Sequence, residues 1–271
     1  MNDLSGYNER MASSILDKLF FMHEIDEKEV DTIVDFGCAN AELFKQLPYS
    51  WTRNGKTISI NFKDPKPNNW KKIGIDNSPE MLEQAILNFP DAEYFCSFDR
   101  LKIGKNTLLN LSSVIHEIYS YCDLDTIDEF WHNVFHKNFK YISIRDLMVS
   151  EKTNRAMNTY EKSVLKRYSK ESSQNKKMLD DFRHCYAEVR VRDMLHFMQK
   201  NRYVDNWDRE CPENYFPITV EYLLSLIPKN KYQIIYLNTY CLEYVKNRIK
   251  EDFDYNVKDS THIQIILQRI D

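Results

Sequence analysis

Thr32-Ile33-Val34-Asp35-Phe36 runs as a β-type segment straight into Gly37, and Ala39 to Leu47 follows as a helical stretch that stops before Pro48. A strand that turns at once into a helix is the repeating unit of a parallel sheet, because each element buries one face against the other. The alternation recurs. Lys72-Ile73-Gly74-Ile75-Asp76 reads as a second strand, followed by a helix with Ser78 at its N-cap and Pro79 at its first position. Glu93 to Cys96 and Thr107 to Ser113 read as the third and fourth strands, Leu124 to His136 as a helix, and Tyr141 to Ile144 as the fifth strand. Later come helices at Val220 to Ile227 and Leu242 to Glu251, with strands at Tyr232 to Leu237 and His262 to Leu267, which suit an antiparallel closing edge. The expected fold is α/β: a seven-stranded, mostly parallel sheet with helices on both faces.

Three segments stand outside the alternation. Residues 1–30 form an amphipathic helical lead, with Met11, Ile15, Leu16, Leu19 and Phe20 at helical spacing. Residues 48–70 are polar and proline-bearing and read as an inserted loop or hairpin, since Thr57 to Phe62 alternates. Residues 150–215 are largely helical and basic: Lys152 to Arg202 holds thirteen Lys or Arg against six Asp or Glu, while the whole chain carries −4. No linker rich in Gly, Ser or Pro divides the chain. The expectation is therefore one domain, 1–271, with the basic stretch as an inserted helical cap.

Hydrophobic residues make up 42% and charged residues 29% of the 271, an ordinary globular balance that excludes a disordered or fibrous chain. No apolar run approaches the roughly 20 residues needed to span a bilayer, and MNDLSGYNER lacks the layout of a signal peptide. The expected location is cytoplasmic, with no membrane partner. The six cysteines are scattered without a C-x-x-C pair, so neither a zinc site nor a disulfide framework is indicated, and no metal is expected.

The turn after the first strand carries the chemistry. A glycine there admits a ligand where a side chain would block it, and a carboxylate ending the second strand, Asp76, is placed to accept hydrogen bonds from ribose hydroxyls. Asp76 lies 41 residues beyond Asp35, about twice the interval of roughly 20 usual in dinucleotide folds, and the 48–70 insertion accounts for the excess. A dinucleotide dehydrogenase would want G-x-G-x-x-G, and Gly37-Cys38-Ala39-Asn40-Ala41-Glu42 does not supply it.

Val34-Asp35-Phe36-Gly37-Cys38, then Gly74-Ile75-Asp76-Asn77-Ser78-Pro79-Glu80-Met81-Leu82, then Leu111-Ser112-Ser113-Val114-Ile115-His116-Glu117-Ile118 resembles the class I S-adenosylmethionine-dependent methyltransferase family. The resemblance covers about Thr32 to Leu147 and returns in the closing strands. It implies a Rossmann-like fold and S-adenosyl-L-methionine as cofactor. It assigns Asp35, Gly37, Cys38 and Ala39 to the loop at the methionine end of that cofactor and Asp76 to its ribose. Asn77, Met81, Phe98 and Asp99 fall beside the adenine, Ser112 and Ser113 under the cofactor, and Tyr7 and Arg10 close over it from the lead. The family loop commonly reads Gly-x-Gly-x-Gly; here alanines stand at positions 39 and 41.

Methyl transfer is an in-line displacement in which the enzyme chiefly positions the acceptor and, where needed, takes its proton. By the resemblance, His116 and Glu117 stand at the methyl group. His116 reads either as general base or as a wall or orienting residue, and Glu117 either orients it or faces solvent. Arg145 reads as part of an acceptor pocket or as a structural ion pair. Tyr215 is placed to line that pocket from the cap side, and Tyr160, Tyr168 and Tyr186 interleave with the basic run, where they can stack on bases. No Asn-Pro-Pro-Tyr motif follows the fourth strand, which argues against the exocyclic-amine route. The expected acceptor is an oxygen or nitrogen nucleophile, with RNA slightly favoured by the basic run. A small-molecule acceptor enclosed by the cap and a non-catalytic partner subunit are the alternatives, and assembly, a homodimer included, is left open.

Overall fold

The structure is a computed structural model that describes residues 15–47, 69–99, 101–187 and 189–270. Tyr7, Arg10 and nearly all of the 48–70 insertion lie outside the described residues.

Two short helices, α1 (Ile15–Lys18) and α2 (Phe21–Glu24), lead into β1 (Thr32–Phe36) and α3 (Glu42–Gln46). Then come β2 (Lys71–Ile75), α4 (Pro79–Asn88), β3 (Glu93–Phe95), β4 (Thr107–Ser112), α5 (Ile115–Tyr121), α6 (Leu124–His136) and β5 (Tyr141–Leu147). A helical segment follows, with α7 (Thr159–Glu171), α8 (Ser173–Cys185), α9 (Val191–Lys200) and α10 (Trp207–Glu210). The chain closes with α11 (Val220–Leu226), β6 (Tyr232–Tyr240), α12 (Glu243–Phe253) and β7 (His262–Arg269).

The seven strands form one sheet in the order β3-β2-β1-β4-β5-β7-β6. The first five are mutually parallel, and β7 runs antiparallel to both β5 and β6, as the sequence pattern suggests. Every residue of β4 is buried, which suits a central parallel strand covered on both faces. One face carries Phe130, Trp131, Val134 and Phe135 of α6, whose apolar positions recur at helical spacing. The other carries Leu19, Phe20, Phe21 and Phe44. Burying each such side chain contributes roughly 1.5–3 kcal/mol. Helices α7 to α9 pack about a cluster of their own, including Val164, Leu165, Leu179, Phe182, Met194 and Phe197, joined by Val245, Ile249 and Phe253 around α12.

Three local readings need correction. The helix after β1 begins at Glu42 rather than Ala39, because Ala39 and Ala41 take left-handed backbone in the turn before it. β5 does not end at Ile144; it continues to Leu147, so Arg145 and Asp146 lie within the strand rather than after it. Both are buried, each held by a partner from elsewhere in the chain, and a pattern read from apolar residues stops at the first charge. Helix α5 went unread because it is short and carries polar residues at His116, Glu117 and Ser120.

Candidate active site

A cavity of about 490 Å³ opens where the carboxyl ends of β1, β2, β4 and β5 meet. β1 lies between β2 and β4, so chain order reverses direction beside it, and ligands of open α/β sheets lodge at that reversal. Gly37, Ala39, Asp76, Asn77, Ser78 and Met81 line one side, and Ser112, Ser113, Val114, His116, Glu117 and Arg145 line the middle.

The turn after β1 is left-handed at three residues: Gly37 at φ 76°, Ala39 at φ 44° and Ala41 at φ 61°. That backbone is natural for glycine and costs an alanine about 1–2 kcal/mol. Cross-bonds hold it. Gly37 N and Cys38 N both donate to Ile75 O at 2.7 and 3.0 Å, and Ala39 N donates to Asp76 Oδ2 at 2.9 Å. Asp76 Oδ1 accepts from Ser78 N at 2.9 Å, so the one carboxylate ties the β1 turn to the start of α4. Each of its oxygens keeps a second lone pair for a ligand hydroxyl.

Four expected cofactor residues stand off the cavity. Asp35 is buried beneath the turn, accepting from Asn110 Nδ2 at 2.7 Å. Burial, only partly countered by that bond and by the charge of Lys18, raises its pKa to about 6. Cys38 is buried in the space that Gly74 leaves open. Phe98 stacks on Phe36 with ring centres 4.6 Å apart, which makes it core, and Asp99 is exposed and hydrogen-bonded to Ser97.

His116 is the centre of the polar network. Its Nδ1 donates to Asp146 Oδ1 at 2.5 Å, and its Nε2 lies 3.3 Å from Glu213 Oε1. Asp146 is fully buried, and its oxygens also accept from the backbone N–H groups of Val114, Ile115 and Leu147 at 3.0, 2.7 and 2.7 Å. The same carboxylate therefore starts α5 and aims the imidazole. Burial pushes the His116 pKa down, but the charge and hydrogen bond of Asp146 and the bond to Glu213 outweigh it and lift the value to about 10. Glu117 also lines the cavity, and burial pushes its pKa up to about 7. Arg145 donates from Nε to Asp17 at 2.7 Å and from Nη1 to Ser113 Oγ at 2.8 Å, so it is at once an ion pair and a cavity residue.

The opposite wall comes from the helical segment: Gln199, Tyr203, Arg209, Glu210, Glu213 and Tyr215. Lys200, fully buried, donates to the carbonyls of Glu210, Cys211 and Glu213, with its ammonium 4.4 Å from the centre of the Tyr215 ring. It thereby pins the turn that presents Glu213. Tyr215 reaches the cavity as expected and meets the His116 ring edge-on at 5.7 Å. Tyr160 does not: it stacks on Tyr255 and donates to Asp254 O at 3.1 Å, outside the cavity lining. Tyr168 is buried against Phe253, so its ring is not free to stack on a base. Several basic residues of the run are occupied within the segment or by α12, among them Arg155 on Glu161, Lys177 on Asp181 and Arg167 on Phe253 O. Glu213, Arg209, Glu210, Lys18 and Arg248 line the cavity without having been anticipated. Their positions come from chain-distant packing, and no local motif marks them.

No family model and no curated protein matches the chain. Among solved structures, it is similar to the plantazolicin methyltransferase BamL in complex with a triazolic desmethylPZN analog and SAH (12% identity, TM-score 0.48, 97% of this chain and 88% of that one). It is also similar to the methyltransferase domain of bacterial CtHen1-CN (11%, TM-score 0.45, 96% and 98%). A third is an S-adenosylmethionine-dependent methyltransferase from Mesorhizobium loti (12%, TM-score 0.48, 93% and 96%).

Proposed function

We propose that this chain is an S-adenosylmethionine-dependent methyltransferase that moves the methyl group to an oxygen or nitrogen nucleophile. The reading rests on one convergence: a left-handed turn tied by Asp76 opens on a cavity at the reversal of strand order, with His116 across from it. The methionine end of the cofactor lies along Gly37 and Ala39, and its ribose hydroxyls bond Asp76. Asn77 and Met81 flank the adenine, and Ser112 and Ser113 support the sulfonium. The sulfonium is itself a good leaving group, so the chain's work is alignment of the acceptor oxygen or nitrogen behind the methyl carbon. His116, locked between Asp146 and Glu213, acts as an orienting residue rather than a proton acceptor.

The acceptor we favour is a small molecule. None of the Lys or Arg residues between Lys152 and Arg202 that suggested RNA lines the cavity, whose far wall instead mixes Glu210 and Glu213 with Arg209 and Tyr215.

Isothermal titration of the chain with S-adenosylmethionine tests the reading. Binding is expected, and Asp76→Ala weakens it by about 1–3 kcal/mol through loss of charge-assisted hydrogen bonds. No heat at millimolar cofactor sinks the proposal; unchanged affinity in Asp76→Ala removes the ribose assignment.

A further inference from the structure

We propose that His116 Nε2, Glu117 and Glu213 form a binding site for one divalent cation of the manganese or zinc class, set in the cavity on the side away from Asp76. Ligand atoms of the three residues lie within 4.8 Å of one another. A transition cation bonds nitrogen or carboxylate oxygen at about 2.0–2.2 Å, so two of its ligand atoms stand at most about 4.4 Å apart. Shifts of a few tenths of an ångström close the group on a central ion.

The surroundings favour a ligand there. A metal-binding imidazole typically donates its other ring N–H to a carboxylate, which fixes the ring. Asp146 does so from complete burial, with backbone N–H groups holding both of its oxygens. Nε2 is thereby turned toward Glu213 and the cavity, and a bound cation takes the place of the proton that Nε2 shares with that carboxylate. Tyr121 OH donates to Glu213 Oε2 at 3.0 Å, leaving Oε1 on the side of His116. Among the described residues, no hydrogen bond or ion pair engages the Glu117 carboxylate, although it lines the cavity and is largely shielded from solvent. Three carboxylates thus surround one imidazole. Lys200 lies behind the wall with its ammonium on backbone carbonyls, and Lys18, Arg145, Arg209 and Arg248 share the cavity lining with the carboxylates. One nitrogen with two carboxylates suits manganese or zinc better than calcium, which prefers oxygen alone.

Two acidic residues and a histidine leave coordination positions open. On the methyltransferase reading, on which this clause alone depends, an acceptor hydroxyl takes one of them. There its pKa falls and its proton passes to solvent. The oxygen then bonds the methyl carbon as the carbon–sulfur bond breaks, and the sulfur keeps the electron pair as a neutral thioether.

The test uses the full chain, stripped with EDTA, dialysed and titrated with MnCl2 or ZnCl2, with bound metal counted by atomic emission. One ion per chain is expected, and Glu117→Gln and Glu213→Gln, which keep side-chain volume, each weaken binding by at least about tenfold. No saturable binding, or wild-type affinity in both variants, overturns the site. Electron spin-echo measurements on the Mn2+-loaded wild type need no variant: nitrogen modulation from one imidazole is expected, and its absence also overturns the assignment. S-adenosylmethionine affinity of the stripped wild type, measured separately, reports on the methyltransferase reading without touching either result.

Discussion

At the scale of single residues, the turn after β1 shows what a substitution of glycine by alanine costs. Ala39 and Ala41 both sit at positive φ, but they differ in what their methyl groups touch. Ala41 is fully buried in the cluster with Phe44 and Leu108, so glycine there relieves strain and loses packing together. Ala39 is half-buried at the cavity edge and loses little. Left-handed alanine costs about 1–2 kcal/mol, and the greater unfolded freedom of glycine returns roughly 0.5–1 kcal/mol of that. Ala39→Gly is therefore expected to stabilise the chain by about 0.5–1 kcal/mol, seen as a rise of roughly 1–4 °C in melting temperature; a fall would show that the turn is relaxed. Much of this site was legible in the sequence, because Gly37, Asp76 and Ser113 directly follow strand ends and His116 opens the helix after β4. Cys38 and Phe98 follow strand ends too, yet they point into the core, and spacing alone does not give that direction. Glu213 was illegible for a different reason: it reaches His116 only through the packing of a distant turn pinned by Lys200.

Among elements, β2 is closely packed at Gly74 against the turn after β1 and against β3. A Cβ at Gly74 would stand 2.7 Å from Cys38 Sγ and 2.8 Å from the Tyr94 ring. Gly74→Ala is expected to destabilise the fold by about 1–3 kcal/mol, the range for overpacking a close-packed interior. Adding Cys38→Ala should recover part of that loss, and strict additivity of the two in chemical denaturation would refute the contact. The strands themselves were readable because the alternation of strand and helix is periodic. β5 was cut short because its last turn of sequence, Arg145-Asp146, is charged. The structure compensates both charges, Arg145 with Asp17 and Asp146 with His116, and such partners do not register in a hydropathy pattern.

For the whole molecule, the buried carboxylate under the turn makes stability depend on pH. Burial, opposed in part by the Asn110 hydrogen bond and the Lys18 charge, lifts the Asp35 pKa to about 6. A raised acid holds its proton in the folded state while the unfolded chain has already lost it. Stability from this group is therefore full in acid and falls as pH rises from about 4 to 6, by about 3 kcal/mol in all, and is flat above. Asp35→Asn should be the more stable protein at pH 7 by about 1–3 kcal/mol, with the gap closing toward pH 4 in urea titrations. A gap that stays constant with pH would place the effect elsewhere. No helix among the described residues is long and apolar enough to cross a membrane. The helical segment of α7 to α10 has a further bearing on how such a chain diversifies. It keeps its own packed interior, and it meets the sheet's cavity through a handful of side chains on one wall. Exchange of Tyr203, Arg209, Glu210 or Tyr215 alters that wall without disturbing the turn at Gly37 or the carboxylate at Asp76. Selection can thus retailor what the wall admits while the sheet-borne half of the cavity is inherited unchanged, the separation of variables that lets one scaffold acquire new clients.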